Sequence, residues 1–329
     1  MATKIYIRGE FLDVYPYMDW LFLLSQEGDL LLAKTEDLIA DESLHDFMFR
    51  QHKMLPGNFE EPKSEIELTL AKFSKLAKLP DKFSFSDLRF FYANIICGST
   101  EGLKFLSFNT ETCQIAVDKK ITDAPINSIS AKYMTVFASS LEAGVTTLFG
   151  VSAGKFSKTT QGGPETSRVG VSDSNIYYYL GRSDVQYSHY IRSKPSIEGF
   201  TLRDEDDKEE ISKIYEANPY SLANLEPDFV FNANNGVYFK VKKQLFYLKD
   251  GNPQMYEFPL DIESKLIRAH LFAGKKCFEF MNGLYLSERN NIFTLLDGEC
   301  ITSRGYSNSV NYKNTVSAVN DDGAFLFRI

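Results

Sequence analysis

The sequence predicts an all-β, modular fold in which one small antiparallel sheet is repeated along the chain. Three observations carry that prediction. A hairpin of two short apolar strands around a tight turn recurs from Trp20 to the last residue. Aromatic residues make up 14% of the chain, chiefly Phe (27) and Tyr (18), and they favour pleated, half-buried surfaces. One strand is surplus at the N-terminus while one is missing at the C-terminus, as expected if the two ends share a sheet.

Taken in order, the surplus strand is TKIYIRG, Thr3 to Gly9. The clearest hairpins are WLFLLSQEGDLLLA (Trp20 to Ala33), ANIICGSTEGLKFLSF (Ala93 to Phe108), MTVFASSLEAGVTTLFG (Met134 to Gly150) and TVSAVNDDGAFLFRI (Thr315 to Ile329). Central turns are expected at Glu27-Gly28, Glu101-Gly102, Ala143-Gly144, Arg182-Ser183, Lys242-Lys243, Asn290-Asn291 and Asp322-Gly323. Several carry the glycine that a tight turn with φ > 0 requires, and Asp-Gly between apolar runs is the strongest of these signals. The intervals are 74, 42, 39, 60, 48 and 32 residues. The short ones approach the ~40–45 residues of a four-stranded unit, and the two long ones imply insertions.

Flanking strands complete the units. INSISAKY (Ile126 to Tyr133) and GKFSKTT (Gly154 to Thr160) flank the third hairpin, and PDFVFNAN (Pro227 to Asn234) and QMYEFPL (Gln254 to Leu260) flank the fifth. ECITS (Glu299 to Ser303) follows the sixth, and GFTLRDE supplies an outer strand to the irregular fourth. The seventh copy ends on its third strand, Ala324 to Ile329, which TKIYIRG would complete. The sum is a seven-bladed β-propeller over residues 1–329, closed by the N-terminal strand in the last blade. Six blades are the alternative if the fourth copy is misread.

Two partly helical insertions break the period, at about residues 36–83 and 200–226. In the first, Asp41 is a candidate N-cap, Leu44, Phe47, Met48 and Gln51 fall on one helical face, and Pro56-Gly57 ends the helix. In SEIELTLAKFSKLAKLP, the alternation of Ile66, Leu68 and Leu70 predicts the outer strand of the first blade, running into a short helix. The second insertion carries Asp204, Glu205, Asp206, Asp207, Glu209, Glu210 and Glu216. It reads either as a solvated surface helix or as an acidic knob for a partner with a basic surface.

Composition narrows the function. A net charge of −8 and a pI near 5.2 repel phosphate backbones and disfavour nucleic acid. No apolar run reaches the roughly 18 residues of a spanning helix, so no membrane association is expected. The N-terminus lacks the apolar core of a secretory signal. Cys97, Cys113, Cys277 and Cys300 form no CxxC pair and read as free thiols in a reducing, cytoplasmic setting.

Catalytic signals are few. His45 and His52 are seven residues apart, about 10 Å along a helix and too far for one metal ion. His189 and His270 stand singly in strands. GVSAGKFS (Gly150 to Ser157) has three residues between its glycines where a phosphate loop needs four, and Phe156 replaces the magnesium-binding hydroxyl. RDEDDKEE places Lys208 at a calcium-ligand position and lacks the turn glycine. No cofactor, metal or catalytic residue is assigned.

The repeat resembles the WD40-like β-propellers over nearly the whole chain. The likeness is architectural, since there is no Trp-Asp strand end or Gly-His blade start, and Trp20 follows Asp19 in reverse order. It implies a non-enzymatic scaffold, or the regulatory subunit of an intracellular complex, binding other proteins through loops and insertions. The expected anchors are Phe47, Met48, Tyr215 and Tyr220, with Asp204, Asp206, Asp207, Glu209 and Glu210 as the acidic knob. A propeller enzyme, or a glycan or small-molecule site at the channel mouth, is the alternative.

Overall fold

The computed structural model describes residues 2–62, 65–79, 85–109, 111–112, 114–132, 134–163, 165–171, 175–179, 184–189, 218–221, 229–233, 236–241, 244–249, 252–256, 266–272, 275–288, 291–306 and 309–329. The first elements are β1 (Thr3–Arg8), β2 (Phe11–Tyr17), β3 (Trp20–Ser25), β4 (Asp29–Lys34), α1 (Thr35–Leu38), α2 (Glu42–Phe49), β5 (Glu65–Glu67) and β6 (Ser74–Lys78). Next come β7 (Phe85–Phe91), β8 (Asn94–Ser99), β9 (Gly102–Asn109), β10 (Gln114–Thr122), β11 (Ser128–Lys132), β12 (Thr135–Ser140), β13 (Gly144–Phe149) and β14 (Lys158–Gly162). They are followed by β15 (Arg168–Val171), β16 (Asn175–Tyr179), β17 (Asp184–His189), β18 (Asn218–Ser221), β19 (Phe229–Ala233), β20 (Gly236–Val241), β21 (Gln244–Lys249) and β22 (Asn252–Tyr256). The last are β23 (Leu266–Phe272), β24 (Lys275–Phe280), β25 (Gly283–Glu288), β26 (Asn291–Asp297), β27 (Thr302–Gly305), β28 (Thr315–Asn320) and β29 (Gly323–Arg328).

These strands form sheets of four, one of them extended to five, in two compact units. The unit of Met1–Asp81 and Glu257–Ile329 holds the sheets β2-β3-β4-β6, β23-β24-β25-β26 and β27-β28-β29-β1-β5. The unit of Lys82–Tyr256 holds β7 to β10, β11 to β14, β15 to β18 and β19 to β22.

Each unit has its own apolar core between neighbouring sheets. In the first, Phe272, Cys277, Leu284 and Leu296 pack with Val316, Ala318, Phe325 and Phe327. In the second, Ile96, Leu103 and Phe105 pack with Ile129, Val136, Ala138 and Leu148. The middle strands β8, β12, β13 and β28 are buried at every position, so they read as continuous apolar or small-residue runs rather than as alternations.

The N-terminal strand pairs antiparallel with β29 over six residues, with Ile5 opposite Leu326 and Ile7 opposite Ala324. Gly323 permits this approach. A Cβ there would stand 2.3 Å from the Ile7 carbonyl oxygen.

Several expectations are corrected. The central turn of the sixth sheet is at Asn282-Gly283, between β24 and β25, whereas Asn291 is the first residue of β26 and Asn290 lies outside the described residues. Gly283 stands 40 residues before Gly323, so the period there is regular. ECITS runs into β27, the first strand of the last sheet, because β26 already fills the outer place in the sixth. The outer strand of the first sheet is β6, not the Ile66–Leu70 stretch. Ile66 lies in β5, which pairs in parallel with β1 as a fifth strand of the last sheet, and a single 3₁₀ turn at Leu70–Lys72 replaces the short helix. The outer strand of the fourth sheet is β18, which pairs with β17. GFTLRDE lies outside the described residues.

Candidate functional site

Helix α2 begins where the sequence places it. The Asp41 carboxylate accepts from Leu44 N at 2.7 Å. Its apolar side faces inward. Phe47 and Met48 are buried, as are His45 and Phe49. The Phe47 ring lies 5.3 Å from that of Phe59 and 5.1 Å from the Arg328 guanidinium, and Phe49 meets Tyr312 edge-on. Phe47 and Met48, expected as partner anchors, therefore pack the helix against its own unit rather than project from its surface. Amphipathic spacing marks the face that is covered without saying what covers it.

His45 is held from two sides. Its Nε2 lies 3.0 Å from Thr35 Oγ1, which donates to the Asp19 carbonyl, and its Nδ1 lies 3.6 Å from the Asp46 carboxylate. Burial, with help from the Arg50 charge, pushes its pKa below the usual histidine value.

Beyond the helix, Gln51 works as a staple. Its side chain donates to Thr315 Oγ1 at 2.8 Å and accepts from Asn314 N at 2.8 Å, while its own N–H donates to the Asn311 carbonyl. Tyr312 donates its hydroxyl proton to the Met18 carbonyl. The β2–β3 turn, the segment after α2 and the loop before β28 are thus tied into one surface. Three large apolar side chains project from it: Met18, 46% exposed, Met54, 96%, and Val310, 71%. Charged pairs stand nearby, Arg50 with Asp19 and Lys53 with Asp46. Met18 has φ of +53°, a conformation that costs a non-glycine residue on the order of 1 kcal/mol, and it holds the side chain outward.

The second unit shows a similar device. Asn94 is buried, and its amide nitrogen lies 3.0 Å from the Phe91 and Tyr92 carbonyls and 2.8 Å from that of Ser152, while its oxygen accepts from Gly154 N. It fixes the left-handed Tyr92-Ala93 turn, from which Tyr92 projects. The GVSAGKFS segment is folded against this knot. The Gly154 amide bonds to Asn94, and Phe156 packs on Phe105 beneath Lys119, an arrangement built for packing.

Several groups with chemical potential among the described residues are buried. Asp13 and Arg304 form a buried bidentate pair, with Arg304 Nη2 2.6 Å and Nε 3.1 Å from the carboxylate, and Tyr306 bonds beside them to Ser317. His270 Nε2 is 2.7 Å from Ser303 Oγ, and Ser303 donates to Glu279. This trio has the residue types of a hydrolase triad but not its order. In a triad the carboxylate orients the imidazole and the imidazole takes the serine proton, whereas here the carboxylate binds the serine, and Ser303 and Glu279 are buried. Burial pushes the Cys97 and Cys300 thiols up to about 12 and Cys277 well above the usual range, so none is a nucleophile at neutral pH. Among the described residues no three His, Cys, Asp or Glu side chains converge as metal ligands. No described helix is long and apolar enough to cross a membrane.

The remaining expected residues fall elsewhere. Asp204, Asp206, Asp207, Glu209, Glu210 and Tyr215 lie outside the described residues, and Tyr220 lies in β18. Met18, Gln51, Tyr312 and Val310 were not among the expected site residues. The only signal for them was polar or apolar chemistry in turns, which becomes a surface once Gln51 bonds to Thr315, 264 residues away.

No protein-family model and no curated protein matches the chain. Solved structures do. The WD40 β-propeller domain of Doa1 is 8% identical with a TM-score of 0.58, covering 97% of this chain and 94% of that one. The Pan2 WD40 domain of Neurospora crassa is 8% identical with a TM-score of 0.55, covering 97% and 89%. A chain of the mitotic checkpoint complex is 10% identical with a TM-score of 0.56, covering 98% and 92%. At these identities the likeness shows the fold, a WD40-like propeller, and leaves function to the site.

Proposed function

We propose that the protein is a non-enzymatic interaction scaffold, or the regulatory subunit of a complex, that binds other proteins on a preformed surface. In this reading residues 1–329 form one seven-bladed propeller, closed where β1 joins the last sheet and carrying insertions near 36–83 and 200–226. The observation that carries it is the surface of Met18, Met54 and Val310. Three exposed apolar side chains stand on a frame tied by Gln51 and Tyr312, while thiols, His45 and the buried acids are held out of reach. A preformed surface loses little entropy on binding, and a few apolar anchors supply most of the affinity. Methionine suits such a surface because it adapts to the partner's shape. The likeness to a chain of the mitotic checkpoint complex supports a protein partner. Unpaired buried thiols suit a reducing compartment such as the cytoplasm. The acidic run Asp204 to Glu216 is a second contact, for a partner with a basic surface.

The test is affinity purification from the native host at low salt. It compares the parent, a Met18→Asp, Met54→Asp, Val310→Asp variant, and a deletion of 204–216. The expected result is a stoichiometric partner that the triple variant loses. Equal recovery of every partner by parent and triple variant would remove this surface from the reading.

A further inference from the structure

The outer strands are the exposed edges of their sheets, and the chain protects most of them. Five carry Lys or Pro in their span: β6 (SKLAK), β10 (QIAVDKKIT), β14 (KTTQG), β18 (NPYS) and β22 (NPQMY). Such residues discourage pairing with another strand. The outer edge of β1 is covered by β5 from the same chain, and Glu65 of β5 pairs with Lys4 at 2.6 Å. The exception is β26, whose sequence NIFTLLD has six uncharged residues, no Pro and one terminal acid. Its inner side pairs with β25, and among the described residues nothing pairs with its outer side. The register slips once, between Thr294 and Leu296, leaving Asn291 to Thr294 regular.

The surroundings of this edge indicate what would cover it. Phe293 is 42% exposed on the strand itself. Met281 and Ile301 are exposed at the Asp297 end, where Gly298 N bonds to the Asn282 carbonyl. Asp297 and Glu299 are exposed there, with no ion-pair partner among the described residues. A strand edge unpaired among the described residues, exposed apolar side chains and exposed acids therefore occur together on β26 and at its Asp297 end.

We propose that β26 is a docking edge for an extended segment of a partner protein, one with alternating apolar residues and Lys or Arg where it passes Asp297 and Glu299. Main-chain hydrogen bonds supply affinity, and alternate side chains supply selectivity. The β1–β5 pairing is the same contact made within the chain, with the charges exchanged. This rests on the scaffold reading and gives it a second, chemically defined surface.

The probe is a fluorescein-labelled twelve-residue peptide of alternating Val and Lys, with a Val and Glu peptide as control, titrated with the full chain and read by anisotropy. The parent should bind the Lys peptide at least about tenfold more tightly than the Glu peptide. Phe293→Lys with Thr294→Lys, both at exposed positions, should weaken it about tenfold with an unchanged melting temperature. Asp297→Lys with Glu299→Lys should reverse the preference between peptides. Equal binding by parent and Phe293→Lys/Thr294→Lys, no binding by the parent, or parent self-association abolished by that variant would each overturn the proposal. None of these outcomes depends on a native partner, so they leave the purification test of the scaffold reading standing.

Discussion

The Asp13–Arg304 pair offers the most informative perturbation. It links β2 to β27 across 291 residues, with Asp13 1% and Arg304 5% exposed. Arg304 also lies over the Tyr15 ring, at 5.5 Å. Removing one partner of such a pair strands a charge in a dry environment and costs about 3–5 kcal/mol. Replacing both with apolar side chains of similar volume removes the desolvation penalty along with the attraction and should cost little. The assay is urea unfolding followed by fluorescence of Trp20, the sole tryptophan, whose strand pairs with β2. With m about 2 kcal/mol/M, Arg304→Ala should lower the midpoint by about 2 M. Asp13→Leu with Arg304→Met should recover most of that loss. Arg304→Lys should fall between, because an ammonium cannot make the bidentate contact. A shift below about 0.5 M for Arg304→Ala, or a double variant no more stable than the single ones, would refute the reasoning.

Three further outcomes follow from local geometry. Asp41→Ala should cost about 1 kcal/mol and raise hydrogen exchange across Glu42–Phe49, measured by mass spectrometry, since it removes the bond to Leu44 N. Gly102→Ala should destabilise by more than about 2 kcal/mol in thermal unfolding, because its φ is +119° and a Cβ would stand 1.9 Å from the Thr122 oxygen. Gly57→Ala meets nothing within 4 Å and should be neutral or better. Cys97 and Cys300, with pKa pushed to about 12, and Cys277, pushed well above its usual value, should resist iodoacetamide at pH 8 until the chain unfolds. Because their folded pKa exceeds the unfolded one, the unfolded chain loses those protons first. Stability should then fall as pH rises above about 9, by about 1.4 kcal/mol per pH unit for each thiol.

The fold was legible wherever a local rule decided it. Asp322-Gly323 and Glu101-Gly102 mark turns because only glycine tolerates the backbone there, and TKIYIRG shows itself by alternation. Errors arose where two elements compete for one pattern. Asn290-Asn291 has turn chemistry, but so does Asn282-Gly283, and only strand pairing separates a central hairpin from an outer one. Ile66 alternates as a strand should, yet the strand it joins, β1, lies some 60 residues earlier. The candidate surface was largely illegible. The periodicity of Phe47 and Met48 marks a buried face, and the segments that carry the exposed Met18, Met54 and Val310 are joined through contacts of Gln51 and Tyr312 that no sequence spacing contains.

The most direct measurement concerns the pairing of the first strand with the last. Tyr6 lies opposite Phe325 in the β1–β29 ladder, with their rings stacked at 5.0 Å. Tyr6→Cys combined with Phe325→Cys should form an intramolecular disulfide under mild oxidation, identified by peptide mapping. Tyr6→Cys combined with Ala318→Cys, one strand further in, should not. A crosslink in the second variant, or none in the first, would contradict a fold whose two ends share one sheet.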